Sequence, residues 1–245
     1  MRAEEVRIPL SPSGFVSGWL VPVPARSGVV LLVHGLRSDR LQMLARARFL
    51  NAAGYAVLLI DLPSHGESTG DRITFGLREG RGVEAALDFL HRRFPQDRVG
   101  VIGVSLGAAS LVLSHPARTP DAVVLESMYP TLREAVADRL AIRMGAAGTL
   151  FTPLLLAQLP LRLDTTEDHL RPISAVLALG APVLIASGTE DRHTTWPETE
   201  RIFAAAAEPK SLWAVAGAAH VDLHAYAPHE YERRILDFLG RYLRP

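Results

Sequence analysis

Residues 98–110 read RVGVIGVSLGAAS, from Arg98 to Ser110. Arg98 to Ile102 is a β-branched apolar run, of the length expected for a strand covered on both faces. Gly103-Val104-Ser105-Leu106-Gly107 then fits G-x-S-x-G, and Ala108 onward reads as a helix. A serine at the apex of a sharp strand-to-helix turn has its neighbours two before and two after pressed against the backbone. Only residues with little side chain fit there, hence Gly103 and Gly107. The helix that follows aims its free N–H groups at the serine, where negative charge can develop. The plainer reading is a glycine-rich turn with Ser105 as a helix N-cap. The strand before and the helix after favour the nucleophile elbow.

Working outward, the flanking sequence repeats the same alternation. Glu4–Leu10 and Phe15–Val21 flank the turn signal Ser11-Pro12-Ser13-Gly14, predicting an antiparallel hairpin. Val29–Val33, Tyr55–Ile60, Ala122–Leu125, Pro182–Ala186 and Ser211–Val215 read as further strands. Between them, helices are predicted over Leu41–Ala53, Glu79–Phe94, Ser105 to about His115, Glu198–Ala207 and Pro228–Tyr242. On the first, Leu41, Leu44, Ala45, Phe49 and Ala52 form the apolar side; on the second, Val83, Leu87 and Leu90. Continuous apolar runs rather than in/out alternation imply an α/β fold. Its sheet is mostly parallel, with helices on both faces and the hairpin as its antiparallel edge. The exception is Met128–Gly180, roughly fifty residues between two strands, far longer than an ordinary crossover. Its helical stretch Leu132–Met144 and apolar run from Leu150 to Leu156 are expected to form a lid over the C-terminal edge of the sheet, where such folds bind ligands. The alternative is a long crossover with extra packing helices. The expected organisation is one domain, 1–245, with residues 128–180 as an insertion.

Composition narrows the function. A chain of 245 residues with 48% hydrophobic content can bury a large core. Lys+Arg and Asp+Glu are balanced at 26 each, which gives no electrostatic case for nucleic acid. With no cysteine there is no disulfide, thiolate metal site or cysteine nucleophile. The start, MRAEEVRIPL, lacks the apolar core of a signal peptide, and no apolar stretch is long enough to span a bilayer. A cytoplasmic protein, monomer or homodimer, is expected.

A serine hydroxyl needs a base, and the base needs an orienting acid. Both should lie in loops after later strands, in the order Ser…Asp/Glu…His. Of nine histidines, His220 lies in the small-residue loop after the last strand and is the preferred base. His224 is second, with a surface histidine as its plain reading. His91, His115 and His229 are expected to be solvated or capping. For the acid, Asp191 follows the second-to-last strand; Glu190 is its neighbour, and Glu126, ending an earlier strand, competes. His220 and His224 have the i, i+4 spacing of metal ligands, but Glu does not follow His220 and a loop is expected there. No metal and no cofactor are expected, and no glycine-rich nucleotide loop follows any strand.

Taken together, His34-Gly35, Asp61…His65-Gly66-Glu67-Ser68, Gly103–Gly107, Gly188…Asp191 and Gly217…His220 resemble the α/β-hydrolase superfamily over nearly the whole chain. The similarity is greatest to bacterial lid-bearing serine esterases and serine-aminopeptidase-like hydrolases. The resemblance implies an oxyanion hole from the backbone N–H groups of Leu36 and Leu106. The loop here is His34-Gly35-Leu36-Arg37, shorter than many in the family. It further implies bracing roles for His34 and His65. The function expected is hydrolysis of small carboxylic esters with short to medium acyl groups. An amidase or aminopeptidase with the same triad, or a non-catalytic ligand-binding scaffold, are the alternatives.

Overall fold

The computed structural model describes residues 2–24 and 26–244. Its centre is one eight-stranded sheet in the order β1-β2-β4-β3-β5-β6-β7-β8. The strands are β1 (Glu4–Pro9), β2 (Phe15–Val21), β3 (Val29–Val33), β4 (Ala56–Ile60), β5 (Val99–Val104), β6 (Ala122–Glu126), β7 (Val183–Gly188) and β8 (Lys210–Val215). β1 pairs antiparallel with β2, and β2 antiparallel with β4; every other pair is parallel. The expected edge hairpin and mostly parallel sheet are both present.

The apolar strands divide their side chains between two cores, because successive residues point to opposite faces. In β3, Val29, Leu31 and Val33 face one core and Val30 and Leu32 the other. The first core is completed by α2 (Leu77–Arg93), α3 (Leu106–Val112) and α8 (Trp196–Ala205), through residues such as Val83, Leu87, Ala109 and Ile202. The second is completed by α1 (Leu44–Ala52) and α10 (Pro228–Leu243). Tyr231, Ile235, Phe238, Leu239 and Leu243 on α10 recur at helical spacing and form one buried stripe.

The helix after β3 differs from expectation. A 3₁₀ turn over Arg40–Met43 precedes α1, and the buried residues of the two are Arg40, Met43, Arg46, Ala47 and Leu50. Leu41, expected on the apolar side, is 55% exposed. The face turned inward carries an arginine because Arg46 meets buried acidic partners, described below. The helix after the elbow is also shorter than expected. It ends at Val112, and Ser114 Oγ donates to the Leu111 carbonyl at 2.6 Å.

Between β6 and β7 lie α4 (Leu132–Met144), α5 (Thr152–Leu156), α6 (Leu159–Leu163), α7 (Pro172–Ala175) and three 3₁₀ turns. Leu132, Leu156, Leu159 and Leu170 form a small core of their own, with Phe75 and Leu113 packed against it. The outer side carries Leu150 at 80% and Leu161 at 89% exposure.

Candidate active site

Ser105 stands at the C-terminal end of β5, between the strand and α3, with φ 49° and ψ −107°. That left-handed backbone is strained for a residue with a Cβ and persists only where the surroundings hold it. Here the Ser105 N–H donates to the Glu126 carbonyl at 2.8 Å, and Ala109 N–H donates to the Ser105 carbonyl at 3.0 Å. The two glycines are required by close approach. A Cβ on Gly103 would lie 2.7 Å from Ala108 N, and one on Gly107 would lie 2.5 Å from the Val33 carbonyl oxygen. Ser105 is not alone in its strain. Arg37 after β3, Ser64 after β4 and Ser127 after β6 also have positive φ. Four neighbouring strands thus each lead into a residue of positive φ beyond the same edge of the sheet.

His220 lies in the loop after β8, and Asp191 in the loop after β7. His220 Nδ1 and Asp191 Oδ2 are 2.7 Å apart. A carboxylate only accepts, so Nδ1 carries the proton and Nε2 is left as the acceptor. Asp191 is itself fixed: its Oδ1 accepts from the N–H groups of His193 at 2.8 Å and Thr194 at 3.0 Å. Burial opposes its charge, but the His220 contact and these two N–H groups outweigh it and hold the carboxyl below the usual carboxylate range. In this structure the hydrogen bond from Ser105 Oγ to His220 is not made, whereas the one from His220 to Asp191 is. Contacts between nucleophile and base often close only once substrate is aligned.

Glu126 is occupied elsewhere. Its carboxylate meets Arg46 Nη2 at 2.7 Å and accepts from the Tyr231 hydroxyl, deep in the second core. His224, the alternative base, is buried rather than a surface residue. It packs against Phe49 and Tyr231, and its Nε2 lies 3.0 Å from Glu232 Oε1. His220 and His224 therefore do not converge. His115 and His229 are exposed as expected. His91 is not solvated: both of its ring nitrogens are buried without a partner. Burial, with Arg118 nearby, lowers its pKa.

The loop after β3 is held open by two histidines. His34 is fully buried. Its Nδ1 donates to the Gly35 carbonyl at 2.7 Å, and its Nε2 accepts from Leu62 N–H at 3.0 Å. Burial lowers its pKa to about 4, so the ring is neutral at pH 7. His65 Nε2 accepts from Arg37 N–H at 3.3 Å, and its Nδ1 donates to the Pro63 carbonyl at 3.0 Å. Gln42 adds a third brace, accepting from Gly35 N–H at 2.7 Å. Below them, Asp61 accepts from the N–H groups of Arg40 and Glu67. Gly66 lies so close that a Cβ there would be 2.2 Å from Asp61 Oδ2. Leu36 lies between these braces, and Leu106 is the first residue of α3. A first-turn N–H has no acceptor within its own helix.

Two features carry no local sequence signal. One is His193, whose ring centroid lies 5.0 Å from that of His220. Burial lowers its pKa, as do the charges of His220 and of Arg139 on α4, against the opposing effect of Asp191. Ligand atoms of Asp191, His193 and His220 all lie within 4.8 Å of one another, a group that could hold a metal ion. The other is Arg46. Besides Glu126 it bonds Asp222 Oδ2 at 2.8 Å, and Asp222 caps α9 (Leu223–Tyr226), two residues beyond His220.

Residues 30–234 match the family model described as the alpha/beta hydrolase family. The chain belongs to that family. Among its relatives, the uncharacterized protein Rv2307c of Mycobacterium tuberculosis is 32% identical over 93% of this hydrolase and 74% of its own length. YqkD of Bacillus subtilis is 22% identical over 91% and 75%. Of the solved structures similar to this hydrolase, the esterase Pf2001 of Pyrococcus furiosus has a TM-score of 0.80 at 22% identity, covering 98% of this chain and 93% of that one. A dienelactone hydrolase from Anabaena variabilis has a TM-score of 0.73 at 21% identity, covering 99% of each. At these identities the structural likeness bears on fold alone. Among the described residues, no helix of this hydrolase is long and apolar enough to cross a membrane.

Proposed function

We propose that this hydrolase cleaves small carboxylic esters by a Ser105–His220–Asp191 triad. The observation that carries the reading is the 2.7 Å bond from His220 to a buried Asp191, with a strained Ser105 at the end of β5. In this scheme Ser105 Oγ attacks the ester carbonyl while His220 Nε2 takes its proton. Asp191 holds the imidazole in the tautomer that leaves Nε2 free and stabilises the imidazolium that forms. The oxyanion is received by the N–H groups of Leu36 and Leu106; removing one such donor costs roughly 3 kcal/mol of barrier. His220 then protonates the leaving alcohol. The acyl group stays on Ser105 until a water, deprotonated by His220, releases it.

Residues 128–180 act in this reading as a lid. One observation supports the role: Tyr129, at the start of the segment, donates to the Phe75 carbonyl at 2.9 Å and ties it to the loop after β4. The apolar residues of this segment suit a short to medium acyl chain over a charged one. The names of the similar structures, an esterase and a dienelactone hydrolase, denote carboxylic esters or their cyclic form. We further take the chain to be a cytoplasmic enzyme.

The test is hydrolysis of a p-nitrophenyl ester series from acetate to decanoate, against aminoacyl p-nitroanilides. The expected result is turnover of short and medium esters, lost in Ser105→Ala. Preferential turnover of the anilides would move the reading to an amidase. No turnover of either, in a folded chain, would leave a binding scaffold.

A further inference from the structure

The triad's acid and base share their corner of the molecule with a third metal-competent side chain. Asp191, His193 and His220 come from two loops, after β7 and after β8. One ligand atom from each lies within 4.8 Å of the other two. Asp191 is buried, while His193 and His220 are each partly open to solvent, so an ion has a route in. Two imidazoles and one carboxylate suit Zn²⁺ and similar first-row ions; Mg²⁺ and Ca²⁺ favour all-oxygen sites. In a tetrahedral zinc site with bonds of about 2.0–2.2 Å, ligand atoms stand about 3.3 Å apart. Closing from 4.8 Å requires the two imidazoles to turn toward the Asp191 carboxylate, which its own hydrogen bonds hold in place. Opening the 2.7 Å contact between His220 and Asp191 by a few tenths of an ångström is part of the same adjustment.

We propose that Asp191, His193 and His220 form a site for a divalent transition-metal ion such as Zn²⁺, with water completing the coordination, and that its occupancy shuts off hydrolysis. The inhibition rests on the reading of His220 as the base; the binding does not. An ion on His220 Nε2 occupies the lone pair that must take the Ser105 proton. An ion on Nδ1 displaces that nitrogen's proton and removes the orienting bond to Asp191. Either way the imidazole no longer serves Ser105. The His193 side chain is not one of the three triad side chains; its ring lies beside that of His220, with centroids 5.0 Å apart.

The test is calorimetric titration of the full chain with ZnCl₂ in chelator-treated buffer, for the wild type, Ser105→Ala and His193→Gln. Ester hydrolysis across the same zinc range is measured in parallel for the wild type and His193→Gln, each normalised to its own zinc-free rate. The site predicts one ion per chain in the wild type and in Ser105→Ala. It predicts affinity about tenfold or more weaker in His193→Gln, the order of loss that follows when a metal site is stripped of a supporting group. Inhibition should track occupancy, reverse with EDTA, and shift by the same factor in His193→Gln. Imidazole NMR of the wild type gives an arm free of any variant's folding: zinc should shift His193 and His220 together and leave the exposed His115, His169 and His229 unmoved. Zinc binding that is the same in His193→Gln, or that moves only the exposed histidines, overturns the site. Binding that depends on His193 without loss of ester turnover keeps the site and overturns instead the assignment of His220 as base.

Discussion

Replacing Arg46 with methionine isolates the buried network that joins the nucleophile's strand neighbour to the loop of the base. The Arg46 and Glu126 side chains are each only 1% exposed and meet at 2.7 Å. Without the guanidinium, the Glu126 carboxylate keeps only the Tyr231 hydroxyl and stays out of water. Breaking one partner of such a pair costs about 3–5 kcal/mol. The second pair, to Asp222, contributes far less, because Asp222 is 31% exposed and can be solvated. For a chain of this size each kcal/mol moves the melting temperature by roughly 2–4 °C, so a fall of about 6–20 °C is expected. Urea unfolding of four proteins measures it: wild type, R46M, E126Q and the double variant. The double variant should recover much of the loss, because a neutral amide leaves no uncompensated charge. Activity should fall through kcat more than KM, since Asp222 caps the short helix just after His220. An R46M chain within 1 kcal/mol of wild type, or no coupling between the two substitutions, would refute the reasoning.

Other expectations follow from single residues. Gly107→Ala should destabilise the chain and abolish activity, because its Cβ would lie 2.5 Å from the Val33 carbonyl oxygen, a clash that costs on the order of 1–3 kcal/mol or more; urea unfolding and ester assays check it. His34 has a pKa lowered from 6.5 to about 4, so the unfolded chain binds a proton that the folded one refuses. Stability should therefore fall by about 3 kcal/mol as pH drops from 6.5 to 4, and His34→Gln should flatten that part of the profile. Asp138 on α4 is pushed up to about 7 by burial and by Glu198. Its folded form holds a proton the unfolded form has released, so its penalty grows from about pH 4 to pH 7 and is complete above. Asp138→Asn should then raise the melting temperature more at pH 8 than at pH 4.

The strands were legible because parallel sheets bury both faces, so β3, β4, β5 and β6 stand out as short apolar runs without alternation. The elbow was legible for a steric reason: the approach of Gly107 to the Val33 carbonyl leaves a mark at a fixed spacing from Ser105. The same two advantages failed at α1. A period of 3.6 residues identifies the buried side only if that side is apolar, and here it carries Arg46. Its partners Glu126 and Asp222 lie 80 and 176 residues away, so no local window pairs them. Glu126 consequently looked available as an acid. His193 was missed for a related reason. It lies two residues from Asp191, but its contact is with a ring from another loop. His91 was read as solvated or capping because histidine is usually solvated on helices, whereas its ring nitrogens are enclosed; His224, second choice as base, is held in the second core by Phe49 and Tyr231, neighbours that no local spacing announces.

The central claim is that Ser105 is made nucleophilic by His220 and Asp191. Peptide mapping after exposure to a fluorophosphonate probe tests it most directly. The account predicts one phosphonate per chain, on Ser105, with labelling slowed severely in His220→Ala and strongly in Asp191→Asn. No labelling of the folded wild-type chain, labelling at another serine, or labelling of Ser105 at an unchanged rate in both variants would contradict it.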